Sequence, residues 1–199
     1  MGLSTRGKRL FDVSGAIAGL IVFAPAITAI AAAIVLIDGR PLVFRQTRLG
    51  HRRRPFTILK FRSMRDGEVT AIGRLLRATG LDELPQLVNV LRGDLSAVGP
   101  RPLTESDVER LRWTEGKFDF RWSVPPGLTG LAQVVGARSA RHALRLDRCY
   151  IAGQSLRLDV RLIAWSFVIN VVGKRRVQQL ISRQCGMLTA ICRGWGLGD

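Results

Sequence analysis

The sequence has 199 residues, with 31 lysines and arginines against 15 aspartates and glutamates, so its formal charge is +16. Hydrophobic residues make up 47% and charged residues 23%, a balance that excludes a disordered basic tail and suits one globular domain. The positive charge favours a polyanionic partner: nucleic acid, an anionic membrane surface or a phosphorylated substrate. Two histidines and no C-x-x-C motif argue against a zinc site.

A stretch of 25 uncharged residues runs from Val13 to Ile37. Three interpretations are open: a signal peptide cleaved near Ala29-Ile30-Ala31, a helix that spans the membrane, or a re-entrant hairpin that enters and leaves by one face. Residues 38–65 hold nine lysines and arginines against one acid, and residues 1–12 hold three against one. Because positive flanks tend to stay in the cytoplasm, export of either flank is disfavoured.

Pro25 stands in the middle of this stretch, with 12 uncharged residues on each side. Proline removes a backbone donor and kinks a helix, and each arm would be roughly 18 Å long at 1.5 Å per residue. Two such arms reach part-way into a bilayer and return. We therefore favour a re-entrant helix–break–helix with its break at Ala24-Pro25, and a kinked spanning helix is the alternative.

The rest of the chain predicts short elements. β-prone apolar runs at residues 42–46 and 56–61 predict a hairpin with a basic turn. Apolar residues at helical spacing predict five helices, which are residues 71–78, 82–91, 105–113, 140–151 and 158–172. Proline and glycine predict loops at residues 98–102 and 124–133.

The last predicted helix, residues 158–172, is too short for a comfortable membrane span. It suits either an amphipathic helix in the membrane interface, with Arg157 and Arg161 reaching phosphates, or a buried core helix. The predicted fold is α+β and mostly helical, with a small β-hairpin and interfacial amphipathic helices in a compact cytoplasmic domain. We predict three parts: a membrane segment at 1–37, the main domain at 38–175 and a basic tail at 176–199.

Asp82-Glu83 is the only pair of adjacent acidic residues in the chain. Acids at a helix start complement the helix dipole, which is a purely structural explanation. However, Arg77, Arg92 and Arg101 lie within twenty residues of the pair. Carboxylates among guanidinium groups suit a site for Mg²⁺ and a diphosphate.

Arg101 stands between Pro100 and Pro102, which stiffen its backbone on both sides. Such a turn would preorganise a phosphate ligand, and a rigid solvated turn is the alternative. The chain has neither G-x-x-x-x-G-K-[ST] nor G-x-G-x-x-G, which disfavours a P-loop or a Rossmann site.

Several motifs occur together and in order. They are KRLFD at 8–12, FRQ at 44–46, KFRSM at 60–64, GRLLR at 73–77, LDELPQL at 81–87, NVLRGD at 89–94, VGPRP at 98–102 and PGLTGLAQ at 126–133. Together with the apolar run around Pro25, this pattern resembles the bacterial sugar transferases. More closely, it is similar to the small monotopic polyprenyl-phosphate phosphoglycosyl transferases over roughly residues 6–175.

The resemblance implies a re-entrant helix in the bacterial inner membrane and a catalytic domain on its cytoplasmic face. It implies that Asp82 attacks the sugar-proximal phosphate of a UDP-sugar and expels UMP, after which polyprenyl phosphate takes the phosphosugar. Glu83 would be the second carboxylate, and Mg²⁺ would be held by both. The implied substrate-binding residues are Lys60, Arg62, Arg77, Pro100, Arg101, Pro102 and Arg138. The expected partners are UDP-sugar, polyprenyl phosphate and inner-membrane lipid, without nucleic acid; a homodimer is left open.

The chain departs from the family pattern at several places, including a short stretch between Met64 and Gly73 and a tail after residue 175 that falls outside the match. Ala24 stands where the family often has serine before the proline, and Gly80 stands where serine usually occurs two residues before the dyad. Residues 135–138 read VGAR where Asn-Gly-Arg is common, which weakens the assignment of Arg138. The rival hypothesis is a membrane-tethered basic module for nucleic acid or anionic lipid, which gives Asp82-Glu83 no purpose. The sequence does not identify the sugar.

Overall fold

A computed structural model describes residues 5–173 of the protein, which form a mostly helical α+β structure with three two-stranded sheets. The helices are α1 (Thr5–Ala33), α2 (Ala71–Thr79), α3 (Gln86–Arg92), α4 (Glu105–Arg110), α5 (Leu131–Val135), α6 (Ala140–Ala152) and α7 (Leu156–Val172). The strands are β1 (Val43–Leu49), β2 (Pro55–Phe61), β3 (Met64–Arg65), β4 (Glu68–Val69), β5 (Ser96–Val98) and β6 (Gly127–Thr129). The prediction of a mostly helical α+β fold is confirmed. The predicted tail at 176–199 lies outside the described residues.

The predicted hairpin is confirmed as β1 and β2, which pair antiparallel from Val43–Phe61 to Leu49–Pro55. The outer edge of β2 is held by one fully buried side chain, that of Asn89 on α3. Its amide donates to the carbonyl of Thr57 at 2.8 Å and accepts from the backbone N–H of Leu59 at 3.1 Å. Since these bonds take the place of a neighbouring strand, they fix β2 against α3.

The first helix, α1, is continuous at Ala24-Pro25, where the sequence predicted a break. The helix continues through Pro25 to Ala33, and a π-helical turn, Ile34–Asp38, ends it. Proline removes a single i→i−4 bond, which bends a helix without necessarily ending it. Beside the proline, the hydroxyl of Thr28 donates to the carbonyl of Ala24 at 2.9 Å. The helix-break-helix prediction is therefore wrong in its secondary structure.

The N-terminal end of α1 is bound to the globular part. The Lys8 ammonium pairs with the Asp159 carboxylate of α7 at 2.7 Å, and the Asp159 side chain is fully buried. The Arg9 guanidinium donates to the carbonyls of Val90 and Leu91 at the end of α3, at 2.6 Å each. These bonds satisfy carbonyls that a helix C-terminus leaves open.

The C-terminal end of α1 is bound to the same globular part. Ile34 is fully buried in an apolar cluster with Phe61 of β2 and Leu76 of α2. The Arg62 guanidinium donates to the carbonyl of Asp38 at 2.6 Å. Between its two ends the helix exposes large apolar side chains, and Arg6–Asp38 is, within the described part of the chain, the one helix long and apolar enough to cross a membrane.

The predicted helix at 82–91 begins later than expected. Residues 81–83 form a 3-10 turn, and α3 starts only at Gln86. Pro85 has no N–H to donate four residues back, so the turn before it closes by three-residue bonds, such as Leu84 N–H to the Leu81 carbonyl at 3.3 Å. The helix predicted at 105–113 ends early, at Arg110.

The loops predicted at 98–102 and 124–133 contain regular structure. Strands β5 and β6 pair in parallel, and α5 follows directly. Glycines allow this close approach: a Cβ on Gly127 would lie 2.0 Å from the Gly99 backbone nitrogen, and one on Gly130 would lie 2.2 Å from the Gly99 carbonyl oxygen. The pairing joins segments about 30 residues apart, so local glycine and proline content did not reveal it.

Helix α7 matches both of its interpretations in part. Asp159 and Leu162 are buried, and the helix packs on the main apolar cluster with α5 and α6. On its other side it leaves Val160, Phe167 and Val168 exposed. The helix is thus a core element with an exposed apolar face.

Candidate active site

The acidic dyad lies on the short turn between α2 and α3. Gly80 ends α2 with a φ of +73°, a left-handed conformation that favours glycine, and the 3-10 turn Leu81–Glu83 follows. This reversal places Asp82 in a buried position and leaves Glu83 half-buried. The two adjacent carboxylates therefore have different environments.

Two of the predicted basic residues reach the dyad. The Lys60 ammonium on β2 pairs with Glu83 Oε1 at 2.5 Å. The Arg77 guanidinium on α2 donates to the buried Ser63 hydroxyl at 2.8 Å, and its charge acts on Asp82. The structure thus brings together the dyad, Lys60 and Arg77 from three separate elements.

Burial raises the pKa of the Asp82 carboxyl above its ordinary value. The positive charges of Lys60 and Arg77 oppose this shift, while the negative charge of Glu83 adds to it. Within residues 5–173, the Asp82 carboxylate has no side-chain hydrogen-bond partner. In that range its one hydrogen-bond donor is the backbone N–H of Asp82 itself, which also lowers the pKa. A desolvated carboxylate that is near cations and is not held by a side-chain donor retains lone pairs for a substrate.

The Arg101 turn follows β5. Pro100 and Pro102 are buried, whereas the Arg101 side chain is exposed. Its guanidinium has no hydrogen-bond or ion-pair partner among the described residues. The Arg101 carbonyl, however, accepts a bond from the guanidinium of Arg121 at 2.5 Å. The backbone of Arg101 is fixed while its charged end is available.

Two other predicted substrate-binding residues lie elsewhere. Arg62 donates to the carbonyls of Asp38 and Gly39, so its guanidinium holds the end of α1. Arg138 is exposed before α6, where its backbone N–H donates to His142 Nδ1 at 3.3 Å. Within the described structure no hydrogen bond or ion pair joins the side chains of Arg62, Arg138 or Arg101 to the dyad. Their roles toward a substrate stay predictions.

Sequence reasoning missed three residues that shape this region. Asn89 fixes β2, and hence Lys60, against α3, and Ser63 holds Arg77. Arg121 holds the Arg101 turn. All three act across 14 or more residues of sequence. In the sequence, Asn89 lies in the NVLRGD motif and Ser63 lies in the KFRSM motif, and these were the only local signals. Arg121 lies in none of the motifs.

Asp82 and Glu83 are the residues that could hold a metal ion. No group of three or more histidine, cysteine, aspartate or glutamate side chains occurs within residues 5–173. Mg²⁺ is commonly bound by one or two carboxylates that share it with substrate phosphates, and it keeps several waters. A pair of adjacent carboxylates, one of them half-exposed, fits that mode and does not fit a metal enclosed by protein ligands alone.

Comparison with known proteins places this arrangement in a family. The family model described as "Bacterial sugar transferase" matches residues 3–173. The UDP-glucose:undecaprenyl-phosphate glucose-1-phosphate transferase of Caulobacter vibrioides is 43% identical over 177 residues, which cover 78% of this chain and 66% of that protein. A protein of the same name from Klebsiella pneumoniae is 38% identical over 183 residues, which cover 81% of this chain and 39% of that protein.

A third relative is similar to this chain in length. The "Uncharacterized sugar transferase EpsL" of Bacillus subtilis is 39% identical over 186 residues, which cover 86% of this chain and 90% of that protein. The chain spans less than two thirds of the Caulobacter relative and about two fifths of the Klebsiella relative. The family match covers both the acidic dyad and the Arg101 turn. The chain belongs to the bacterial sugar transferase family.

Proposed function

We propose that the chain transfers a sugar 1-phosphate from a UDP-sugar to polyprenyl phosphate, with Asp82 as the nucleophile. The observation that carries the proposal is the environment of Asp82: a buried carboxylate without a side-chain donor, beside Lys60, Arg77 and a second carboxylate. The choice of substrates is supported by the Caulobacter and Klebsiella relatives, which are named as UDP-glucose:undecaprenyl-phosphate glucose-1-phosphate transferases. The alternative, a basic module that binds a polyanion, does not explain the buried Asp82 carboxylate, because a negative charge repels a polyanion.

In the first half-reaction an oxygen of Asp82 attacks the sugar-proximal phosphorus of the UDP-sugar. A phosphorus–oxygen bond to Asp82 forms, the phosphorus–oxygen bond to UMP breaks, and UMP leaves with the electron pair. In this proposal Lys60 and Arg77, whose charges act on Asp82, also counter the charge of the diphosphate. Such compensation is the main requirement of phosphoryl transfer. The product is an aspartyl phosphosugar.

In the second half-reaction a phosphate oxygen of polyprenyl phosphate attacks the same phosphorus. The bond to Asp82 breaks, the carboxylate is regenerated, and a polyprenyl-diphosphate sugar is released. Two sequential steps let a soluble donor and a lipid acceptor use one small site in turn. The proposal therefore includes ping-pong kinetics, with UMP released before the acceptor reacts.

Mg²⁺ is proposed as the cofactor, held by Asp82 and Glu83 together with substrate phosphates. When bound, the ion supplies positive charge that offsets the negative charge of the diphosphate. The Lys60–Glu83 ion pair orients Glu83 before substrate arrives. In this proposal Glu83 serves the metal, or the proton of the acceptor phosphate, and does not attack the substrate.

We infer that α1 enters and leaves the membrane by its cytoplasmic face. The support is that both ends of the helix are bound to one globular part, at Lys8 and Arg9 on one side and at Ile34 and Asp38 on the other. A spanning helix would separate these ends by a hydrocarbon layer about 30 Å thick. One domain would then have to contact both sides. The basic flanks favour the cytoplasmic face of the bacterial inner membrane.

The transfer is tested by the nucleotide that the detergent-solubilised full-length chain releases. A panel of UDP-sugars, beginning with UDP-glucose, is incubated with Mg²⁺ and polyprenyl phosphate. Release of UMP together with a polyprenyl-diphosphate sugar is expected for one or a few members. Release of UDP would instead indicate ordinary glycosyl transfer, and release of neither nucleotide from any donor would favour the basic binding module.

The topology is tested by labelling cysteines introduced in place of Thr5 and His51 with a reagent that does not cross membranes. Both positions should label only from the cytoplasmic side, in excess of the unaltered chain. Labelling from opposite sides would establish a spanning helix. A third variant, Pro25→Leu, restores the lost backbone bond and should shift part of the population toward spanning.

A further inference from the structure

We propose that Arg121, assisted by Arg48, is a positioning residue that presents the Arg101 guanidinium to the diphosphate of the donor. This inference rests on the proposed function, since it names the residues that hold one part of the same site. Neither Arg121 nor Arg48 touches the substrate in this proposal. Both act through the backbone of residue 101 and its neighbour.

The guanidinium of Arg121 joins two partners through two different nitrogens. Its Nη2 donates to the carbonyl of Arg101 at 2.5 Å, and its Nε donates to Asp147 Oδ2 on α6 at 2.8 Å. The side chains of Arg121 and Asp147 are 5% and 4% exposed. A planar guanidinium presents its donors in a fixed fork, so the position of Asp147 determines where the Arg101 carbonyl is held.

Arg48 makes a parallel contact one residue further along the turn. Its Nη1 donates to the carbonyl of Pro102 at 3.4 Å and pairs with Asp107 on α4 at 3.3 Å. Two consecutive carbonyls of the turn, those of Arg101 and Pro102, thus each accept from an arginine that is paired with an aspartate on a helix. The turn is attached to α4 and α6 by its backbone.

The charges around the turn point to an anionic ligand. Burial is the main reason that the pKa values of Arg121 and Arg48 lie below the ordinary arginine value, and the nearby charge of Arg101 lowers both further. Asp147 and Asp107 partly offset two of these three positive charges. The third, on Arg101, is exposed and has no ion-pair partner within residues 5–173. An anion at that position would relieve the mutual repulsion of the three guanidinium groups.

The substitution Arg121→Lys separates positioning from charge. Lysine keeps a cation for buried Asp147, which protects the fold, but its single ammonium does not reproduce the two-nitrogen fork. We expect the donor kcat/KM to fall about tenfold, as for loss of one hydrogen bond to a charged group. In a ping-pong reaction the acceptor kcat/KM reports only the second half-reaction, and it should change less than about twofold on the same scale.

The decisive experiment is a double-mutant cycle of Arg121→Lys with Arg101→Ala. If Arg121 acts through Arg101, adding Arg121→Lys to the Arg101→Ala protein should lower the donor kcat/KM further by less than about twofold. The matched control is Arg53→Lys. The Arg53 guanidinium lies over the ring of Trp122, the residue after Arg121, at 3.9 Å and pairs with Asp119. Unlike Arg121, it makes no hydrogen bond to the Arg101 turn. Its substitution should leave the donor kcat/KM unchanged in either background.

The outcomes separate this inference from the proposed function. If the unaltered chain releases no UMP from any UDP-sugar, the proposed function fails first. If it releases UMP but Arg121→Lys and Arg101→Ala have additive effects, or donor and acceptor kcat/KM fall equally, the positioning role is overturned while the function stands. If Arg121→Lys does not fold, Arg48→Lys enters the same cycle with the same expectation and the same contradicting result.

Discussion

At residues 80–84 the chain turns on a glycine with positive φ and a 3-10 turn, whereas at residues 99–102 it turns between two buried prolines. The first turn leaves the Asp82 carboxylate without a side-chain donor among the described residues and sets its pKa by burial and nearby charges. The second turn is fixed through its backbone carbonyl by Arg121. The two turns are thus organised by different means.

This difference agrees with the role proposed for each turn. A nucleophile has to be free of strong donors, because a donor that binds its lone pairs competes with the phosphorus atom. A residue that binds a phosphate only has to be in the right place, so its backbone is held and its side chain is left open. Changes at the first turn should therefore alter chemistry and titration, and changes at the second should alter donor binding and stability.

The largest expected effect comes from Asp82→Asn. The amide keeps the shape of the side chain but removes its negative charge and with it the nucleophilicity of its oxygen. UMP release should fall by about a thousandfold or more, as for other lost nucleophiles. Intact-mass measurement after incubation with a UDP-sugar should find a phosphosugar on the unaltered chain and none on the variant.

The matched control for this prediction is Asp66→Asn, which changes an exposed aspartate whose side chain is 92% accessible. Its positive φ suits asparagine as well as aspartate. UMP release should stay within about twofold of the unaltered chain, as for exposed positions away from the site. A substantially active Asp82→Asn protein would contradict the assignment of the nucleophile.

Sequence patterns predicted the local parts of both turns. The adjacent acids at 82–83 and the flanked arginine at 101 were visible because each motif is contiguous, and the hairpin carrying Lys60 was visible from its β-prone runs. The start of α3 is later than predicted because the helical spacing of apolar residues does not distinguish a 3-10 turn from the first turn of an α-helix. The 3-10 bonds before Pro85 depend on a missing N–H, whose consequence local propensity does not fix.

The parts that the sequence did not predict depend on distant contacts. The β5–β6 pairing joins residues about 30 apart, and the bonds from Arg121 to Arg101 and from Asn89 to β2 cross 20 and about 30 residues. In a chain this rich in arginine, the sequence does not indicate which arginine is buried and which is exposed. Helix α1 shows the same limit, because Pro25 indicated a break that the surrounding helical bonds did not require.

A pair of glycine substitutions sharpens the contrast between the turns. A Cβ on Gly99 would lie 2.5 Å from the Pro125 carbonyl oxygen, and a Cβ on Gly80 would lie 2.7 Å from the side-chain amide nitrogen of Asn170. Backbone cannot yield as a side chain can, so Gly99→Ala should lower the free energy of unfolding by about 3 kcal/mol or more. Gly80→Ala, strained by its positive φ, should cost about 1–2 kcal/mol.

The measurement is thermal unfolding of both variants in the same detergent, together with donor kinetics. Gly99→Ala should have the lower Tm and, if folded, a lower donor kcat/KM, because it displaces the Arg101 turn. Gly80→Ala should affect the rate more than donor binding, because it displaces the dyad. Equal losses of stability would indicate that the two turns are held alike, and a larger loss for Gly80→Ala would contradict the predicted order.

The smallest expected effect is a shift in pH dependence at the first turn. In the proposed reaction Asp82 attacks as the ionised carboxylate. Because burial raises its pKa, donor kcat/KM should fall as pH decreases through a value above that of an ordinary aspartate. Lys60 opposes the shift. Lys60→Met should therefore move this acid limb to higher pH, while Lys60→Arg, which keeps the positive charge, should leave it nearly in place.

Arg121→Lys should lower the donor kcat/KM at every pH without moving the limb, since it acts at the other turn. A limb that stays fixed in Lys60→Met, or moves in Arg121→Lys, would contradict this division between a turn tuned by charge and a turn held by its backbone.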